Sequence, residues 1–288
     1  MAGFLTREGL QGLGRLCERP DESGIVAAPA FPGLDRIEAR FFGTAFAPHR
    51  HDTYAIGMTL YGVQTFRYRG AVRYSTPGKV IVLHPDELHD GGAGTEDGLR
   101  YRMLYLEPAL LRRALADSRG GLPFVRDPVV ADAALWRALL AGLSDLEGEL
   151  EDLLVDQMLA ELAAALSRHA GQPGDSAAKL DLPRLDLARA YLDANLTEAV
   201  RSRELEAASG LDRFSLARQF RRAFGTSPHR YLVMRRLAHA RGLIDAGLPL
   251  AEIAAATGFA DQSHLNRQFK KTFGVTPGQW RSLARGRS

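Results

Sequence analysis

Cysteine is all but missing from this 288-residue chain, in which Cys17 is the single thiol. One cysteine excludes an internal disulfide and a thiolate metal cluster, and leaves a bland, partly buried thiol as its expected role. No run of 18 apolar residues occurs, so no transmembrane helix can be read, and residues 1–16 lack the basic, apolar and small-residue zones of a signal peptide. A cytoplasmic protein is the expectation. Acidic residues are scarce in the last third. From Asp181 to Ser288, 18 Lys and Arg stand against 10 Asp and Glu, a balance of +8, whereas the preceding part carries −5 and the whole chain +3. Such asymmetry points to a polyanion partner for the basic end, with a solvated basic surface as the alternative. The apolar content of 45% in this length suffices for about two domains with buried cores.

The basic end contains an internal repeat. Leu216-Ala-Arg-Gln-Phe-Arg-Arg-Ala-Phe-Gly-Thr-Ser-Pro-His-Arg-Tyr231 returns 49 positions later as Leu265-Asn-Arg-Gln-Phe-Lys-Lys-Thr-Phe-Gly-Val-Thr-Pro-Gly-Gln-Trp280, with seven identities in sixteen. Leu216, Phe220 and Phe224 recur at i, i+4 and i+8, so each copy is a helix with an apolar stripe and a basic solvent side. Gly225 and Gly274 mark where these helices end, and Pro228 and Pro277 where the next begin. Ahead of each copy stands a short helical segment and a turn: Glu204–Ala208 with Ser209-Gly210-Leu211, and Pro249–Ala256 with Thr257-Gly258-Phe259. Asp212 is suited to cap the first copy. A helix from Pro228 to about Ala246 joins the halves, giving two helix-turn-helix units on one long connector.

The earlier part of the chain reads differently. Residues 1 to about 23 show no sustained period. From about Gly24 to Leu106, short alternating segments separated by turns predict a β-rich sandwich or small barrel. Tyr54, Ile56, Met58 and Leu60 alternate along one strand, Phe66 and Tyr68 enter a hairpin at Arg69-Gly70, and Val80–Leu83 is a continuous apolar run suited to a strand covered on both faces. Helical spacing follows Pro108, in three segments: Leu110–Leu115, Val129–Leu143 with Trp136, and Asp145–His169. The last carries a long Leu stripe that either packs on the β domain or forms a homodimer interface. Gly171–Ala178 reads as a connection, so residues 24–170 are expected to form one domain, 171–183 a linker and 184–288 a second domain.

A connector of about 19 residues spans roughly 28 Å, close to the ~34 Å of one duplex turn, so two recognition helices could enter successive major grooves of double-stranded DNA. Side chains near the start of such helices reach base edges. These are Arg213, Phe214, Ala217 and Arg218 in the first copy and Gln262, Ser263, Asn266 and Arg267 in the second. Arg221, Arg222, Lys270 and Lys271 are placed to hold phosphates. An ion pair within the domain, with a residue such as Glu204 or Glu252, is the competing role for any one Arg.

On these motifs, Gly210–Pro228 and Ile253-Ala-Ala-Ala-Thr-Gly-Phe259 through Pro277, residues 185–283 resemble the DNA-binding domain of the AraC/XylS family of bacterial transcription regulators. The first turn is one residue shorter than its counterpart, since Gly210 and Gly258 are 48 apart while later matches are 49 apart. The β-rich half is similar to the cupin-like sensor domain of that family, through Pro48-His-Arg-His-Asp52 and Pro77-Gly-Lys-Val-Ile-Val-Leu-His-Pro-Asp-Glu-Leu-His89. The resemblance implies an α+β two-domain protein, with a cupin-like barrel and following helices ahead of an all-α domain. It also implies transcription control by a small-molecule effector and contact with RNA polymerase.

His49, His51 and His89 could supply three imidazoles to a metal, but Ala55 and Ile56 stand where a metal-binding cupin carries Glu. The expectation is therefore that His49, His51 and His89 either hydrogen-bond within the barrel or, with Tyr54, contact an organic effector, without metal, cofactor or catalysis. A metal-dependent cupin enzyme is the competing reading. A DNA-repair alkyltransferase would need an activated thiolate, and Cys17 has no Pro-Cys-His-like setting.

Overall fold

The computed structural model describes residues 24–115, 121–170, 180–273, 276–278, 280 and 281. Cys17, Gly274 and most of the expected linker lie outside the described residues.

Ten strands open the described chain: β1 Gly24–Ala27, β2 Leu34–Phe41, β3 Thr44–His49, β4 Tyr54–Gly62, β5 Gln64–Tyr68, β6 Ala71–Ser75, β7 Val80–Leu83, β8 His89–Ala93, β9 Leu99–Leu106 and β10 Val129–Val130. They form a six-stranded sheet in the order β1-β2-β9-β4-β7-β10 and a four-stranded sheet in the order β3-β8-β5-β6. Every pairing is antiparallel. The β5–β6 hairpin turns at Arg69 and Gly70, both left-handed with φ of 50° and 78°, which matches the twist of the flanking strands.

Alternation along β4 divides two cores. Ala55 turns inward, between the sheets, to join Phe41, Phe66, Tyr68, Ile81 and Tyr101. Tyr54, Ile56 and Met58 turn outward, under a layer of helices, with Val80, Val82 and Leu104. A strand covered on both faces explains why β4 is buried from Tyr54 through Thr59 instead of half-exposed.

The covering layer is α1 Pro108–Ala114, α2 Ala133–Leu143 and α3 Asp152–His169. Two expected helices are shorter than their periodicity suggests. Val129 and Val130 pair with Ile81 and Val80 as an edge strand, and α2 starts only after Asp132, whose carboxylate accepts the Ala134 and Leu135 N–H groups. Likewise α3 begins at Asp152, not Asp145. The Asp145 side chain accepts the Glu147 and Gly148 N–H groups, a local turn that competes with helix. The carbonyls freed there meet the buried guanidinium of Arg36, which donates to Gly142 O at 3.1 Å, Asp145 O at 2.8 Å and Gly148 O at 2.8 Å. The apolar stripe of α3, Val155, Met158, Leu159, Leu162 and Leu166, packs into the outer core; Leu153 stands exposed.

Leu180 is buried at the start of an all-helical part comprising α4 Leu182–Ala194, α5 Ser202–Ser209, α6 Arg213–Phe224, α7 Pro228–Asp245, α8 Leu250–Ala256 and α9 Gln262–Phe273. It too has two cores. Leu232 of α7 packs with α4, α5 and α6, while Val233, Met234, Leu237 and Ile244 pack with α8 and α9. The connector thus lends adjacent faces to both units. No helix among the described residues is long and apolar enough to cross a membrane.

Candidate functional site

The two repeat copies form α6 and α9, each preceded by a short helix and a left-handed glycine, Gly210 at φ 66° and Gly258 at φ 73°. Two residues separate Gly210 from Arg213 and three separate Gly258 from Gln262, so the turns do differ by one. The caps restore the register. Asp212 accepts the N–H groups of Phe214 and Ser215 at 3.1 and 3.0 Å, and Asp261 accepts that of His264 at 2.6 Å. Both helices therefore start at equivalent residues, Arg213 and Gln262.

On α6, Arg213, Phe214, Ala217, Arg218 and Arg221 are exposed and follow one face, with Phe214 69% accessible. Arg222 is half-buried, and its carbonyl accepts the Leu122 N–H at 3.1 Å. Arg213 is engaged within its own unit: Glu206 takes its backbone N–H at 2.8 Å and its guanidinium at 3.2 and 3.3 Å. That is the intradomain pairing weighed above, with Glu206 as the partner; Glu204 instead accepts the Arg201 N–H. Arg218 donates to Ser215 Oγ, a contact along the exposed face that leaves the guanidinium at the surface. On α9, Gln262, Ser263, Arg267, Lys270 and Lys271 are exposed, whereas Asn266 is half-buried with a buried, unpartnered Oδ1.

Asp212 and Glu206 are held below the usual carboxylate range. The Ser215 N–H is the main cause for Asp212, and the Arg213 N–H for Glu206. Both stay ionised beside a face that collects cations.

The histidines of the β domain converge. His49 and His89 are cross-strand partners on β3 and β8, and His51 follows β3 by two residues. Ring centroids lie 4.4 Å apart for His49 and His89, 4.8 Å for His51 and His89, and 6.1 Å for His49 and His51. One nitrogen from each falls within 4.8 Å of the others. Each Nδ1 meets a backbone carbonyl two residues away: Ala47 O at 2.8 Å, Thr53 O at 2.9 Å and Glu87 O at 2.9 Å. A carbonyl only accepts, so all three Nδ1 atoms carry hydrogen and each neutral ring presents its lone pair at Nε2. Burial pushes all three pKa values down, that of His51 to about 3. The Nε2 of His51 is buried without a partner.

Tyr54 does not join them. It lies on the helix-covered face of β4, where its hydroxyl donates to Pro123 O at 3.0 Å, because successive strand residues point to opposite faces. Tyr105 is the tyrosine beside the cluster, edge-on to His51 at 5.3 Å. His84 stands apart, its Nε2 accepting the Val125 N–H.

Both α6 and α9 end against the histidine-bearing segments. Gly225, the left-handed residue closing α6, lies so close to Pro85 that an added Cβ would fall 2.9 Å from the proline ring. The next residue, Asp86, donates its N–H to His51 O at 2.8 Å. Its carboxylate accepts the Thr226 hydroxyl at 3.2 Å and lies 3.5 Å from Arg230. On the other side, Arg50 N–H donates to Lys271 O at 3.2 Å, and Ala47 and Pro48 line a groove with Arg267, Lys270 and Lys271. Phe273 and Trp280 also pack against the core between the sheets. Sequence reasoning missed Arg50, Asp86, Thr226 and Arg230, whose roles depend on two distant segments meeting. The one local signal was the Pro85-Asp86 turn ahead of His89.

This geometry agrees with comparisons to known proteins. Residues 31–163 match the AraC-like ligand binding domain, and residues 205–282 match a helix-turn-helix domain family. The chain is 25% identical over 243 residues to the Uncharacterized HTH-type transcriptional regulator YbfI of Bacillus subtilis (strain 168), covering 80% of this chain and 86% of that one. Its fold is similar to that of ToxT from Vibrio cholerae, with a TM-score of 0.62 and 11% identity over 87% of this chain and 98% of ToxT. ToxT with an unsaturated fatty acid bound gives a TM-score of 0.61 and 14% identity over 86% and 94%. With a β domain that matches the AraC-like ligand binding domain and a following region that matches a helix-turn-helix domain, the protein has the two-domain make-up of an AraC-type transcriptional regulator.

Proposed function

We propose that the protein binds promoter DNA sequence-specifically through α6 and α9, and that an effector held at the histidine end of the β domain controls this binding. The observation that carries the reading is the matched pair of recognition helices, aligned by their aspartate caps and ending on the histidine-bearing segments. In α6, Phe214, Ala217 and Arg218 face the bases. In α9, Gln262, Ser263 and Arg267 do so, while Arg221, Lys270 and Lys271 hold phosphates. Arg213 and Asn266 are less suited to base contact, the first being paired with Glu206 and the second turned partly inward. The α7 connector of 18 residues spans about 27 Å, fitting the helices to neighbouring grooves on one DNA face. Bound at a promoter, the protein would act by contact with RNA polymerase.

The unsaturated fatty acid bound to ToxT supports a small-molecule ligand for a protein of this fold. Here, however, lone pairs directed inward from three neutral rings would repel a carboxylate and favour a hydroxyl donor or a cation. Arg218→Ala and Arg267→Ala should each lose about 1–3 kcal/mol for the selected operator and less for mismatched ones. Lys270→Ala should weaken all sequences alike and reduce the salt slope by about one. Binding isotherms across operator variants and salt concentrations check this; equal, sequence-independent losses for all three would remove Arg218 and Arg267 from base reading.

A further inference from the structure

The histidine triad is a tightly constrained polar cluster. Three rings from two strands and the segment after β3 meet, each oriented by a hydrogen bond from Nδ1 to a main-chain carbonyl. That arrangement fixes the tautomer whose Nε2 is a donor to a metal, and it is how outer contacts usually orient metal-binding imidazoles. It suits an organic acid poorly, because no N–H is left to meet an anion. The buried, unpartnered His51 Nε2 is a cost in the absence of a ligand and a ready electron-pair donor in its presence. Nitrogens within 4.8 Å of one another need only a small inward ring movement to meet an ion at roughly 2.0–2.1 Å.

We propose that His49, His51 and His89 bind one divalent transition-metal ion of the zinc type through Nε2, and that the ion sets how both recognition helices rest on the sensor domain. The remaining coordination positions are left to water or to one donor atom of a small ligand, since Ala55 and Ile56 supply none. The coupling follows from the two connections already described. Drawing His49 inward moves the end of β3, whose Pro48 and the following Arg50 meet α9. Drawing His51 inward moves the carbonyl that holds Asp86, and Asp86 holds Thr226 and Arg230 beyond the end of α6. This proposal rests on the reading that α6 and α9 bind DNA, and it names the effector of that reading.

The test uses the full chain stripped with a chelator and titrated with zinc, nickel or cobalt chloride. Bound metal is measured by elemental analysis, coordination by cobalt absorption, and DNA affinity on a duplex selected from a randomised pool. His51→Asn and His89→Asn can keep the Nδ1-type hydrogen bond while deleting Nε2, and circular dichroism verifies their folding. A single ion per chain is expected, with affinity falling more than about 100-fold in either variant, beyond the 10–100-fold typical of losing an outer contact. DNA affinity should change at least about tenfold with metal in the parent and stay unchanged in the variants. Parent protein that takes up no more metal than His51→Asn overturns the site, while retained DNA binding keeps the regulator reading. If variants misfold, the parent's cobalt spectrum decides: absence of imidazole-ligated bands overturns the site. Metal uptake with an unchanged DNA isotherm overturns the coupling alone, and failure to select any duplex defeats the DNA reading independently of the metal result.

Discussion

In the first helix-turn-helix unit Phe220 and Phe224 meet at 4.4 Å and an interplanar angle of 52°, and Tyr231 crosses Phe220 at 73°. In the second, Phe269 and Phe273 meet at 4.5 Å and 53°, and Trp280 crosses Phe269 at 73°. The inner geometry is thus nearly superposable. The surroundings are not. Around the first unit, the Arg112 guanidinium covers Phe224 at 4.5 Å and pairs with Asp186 at 2.9 Å, and Pro85 abuts the helix end. Around the second, Phe273 and Trp280 pack against the core between the β sheets, and Lys271 O is held by Arg50. The repeat preserves what makes a unit fold, while each copy has its own means of resting on the β domain.

The sharpest way to break the comparison is to empty one core at a time. Phe220 and Phe269 are both fully buried, in separate clusters. Replacement by Ala should cost about 3–5 kcal/mol at either site. Because α7 lends different residues to the two cores, Phe220→Ala should speed amide exchange in α5 and α6 before α8 and α9, and Phe269→Ala should do the reverse. Uniform loss of protection in either variant would show one cooperative unit in place of two.

A smaller effect should separate the two docking contacts. Asp86 has a left-handed backbone with φ of 60°, which Asn tolerates, so Asp86→Asn removes the carboxylate beside Arg230 with little strain. Both partners are about 13% exposed, and the loss should be about 1–3 kcal/mol, felt near Thr226 and Arg230. The Arg50 bond to Lys271 is main-chain to main-chain and should persist. Hydrogen exchange that loosens α9 as much as the α6–α7 junction would mean that the two contacts form one.

This contrast also separates what the chain displayed from what it hid. The paired aromatics, the glycines and the β5–β6 hairpin were legible because each depends on neighbours within one turn or one strand. The face of Tyr54 was not, because a strand buried on both sides loses the polar alternation that would reveal its inner face. Nor were the starts of α2 and α3, where apolar spacing continues through Val129–Val130 and Leu146–Leu150 although an edge pairing and the turn at Asp145 occupy those residues. His49, His51 and His89 were visible as candidates, but the hydrogen bonds that aim their lone pairs inward require the folded backbone. Arg36 gave no sign at all; its partners are carbonyls more than 100 residues away.

The smallest expected effect concerns the cap that brings the two units back into register. Asp212 is ionised in the fold, and its pKa is lowered chiefly by the Ser215 N–H, with Phe214 N–H and Arg218 contributing. A carboxylate depressed in the folded state adds stability that is fully present above its unfolded pKa of about 3.9 and is lost as pH falls through the lower folded value. Asp212→Asn keeps a side-chain oxygen for the same two N–H groups but does not titrate there, whereas Asp212→Ala removes the cap at every pH. Thermal melts between about pH 6 and pH 2 should therefore show the parent converging on Asp212→Ala at the acid end. Asp212→Asn should cross above the parent once the parent's carboxyl is protonated. Parallel curves for all three proteins would mean that α6 is positioned by its packing and its contact with Pro85, and that the cap follows the helix instead of setting its start.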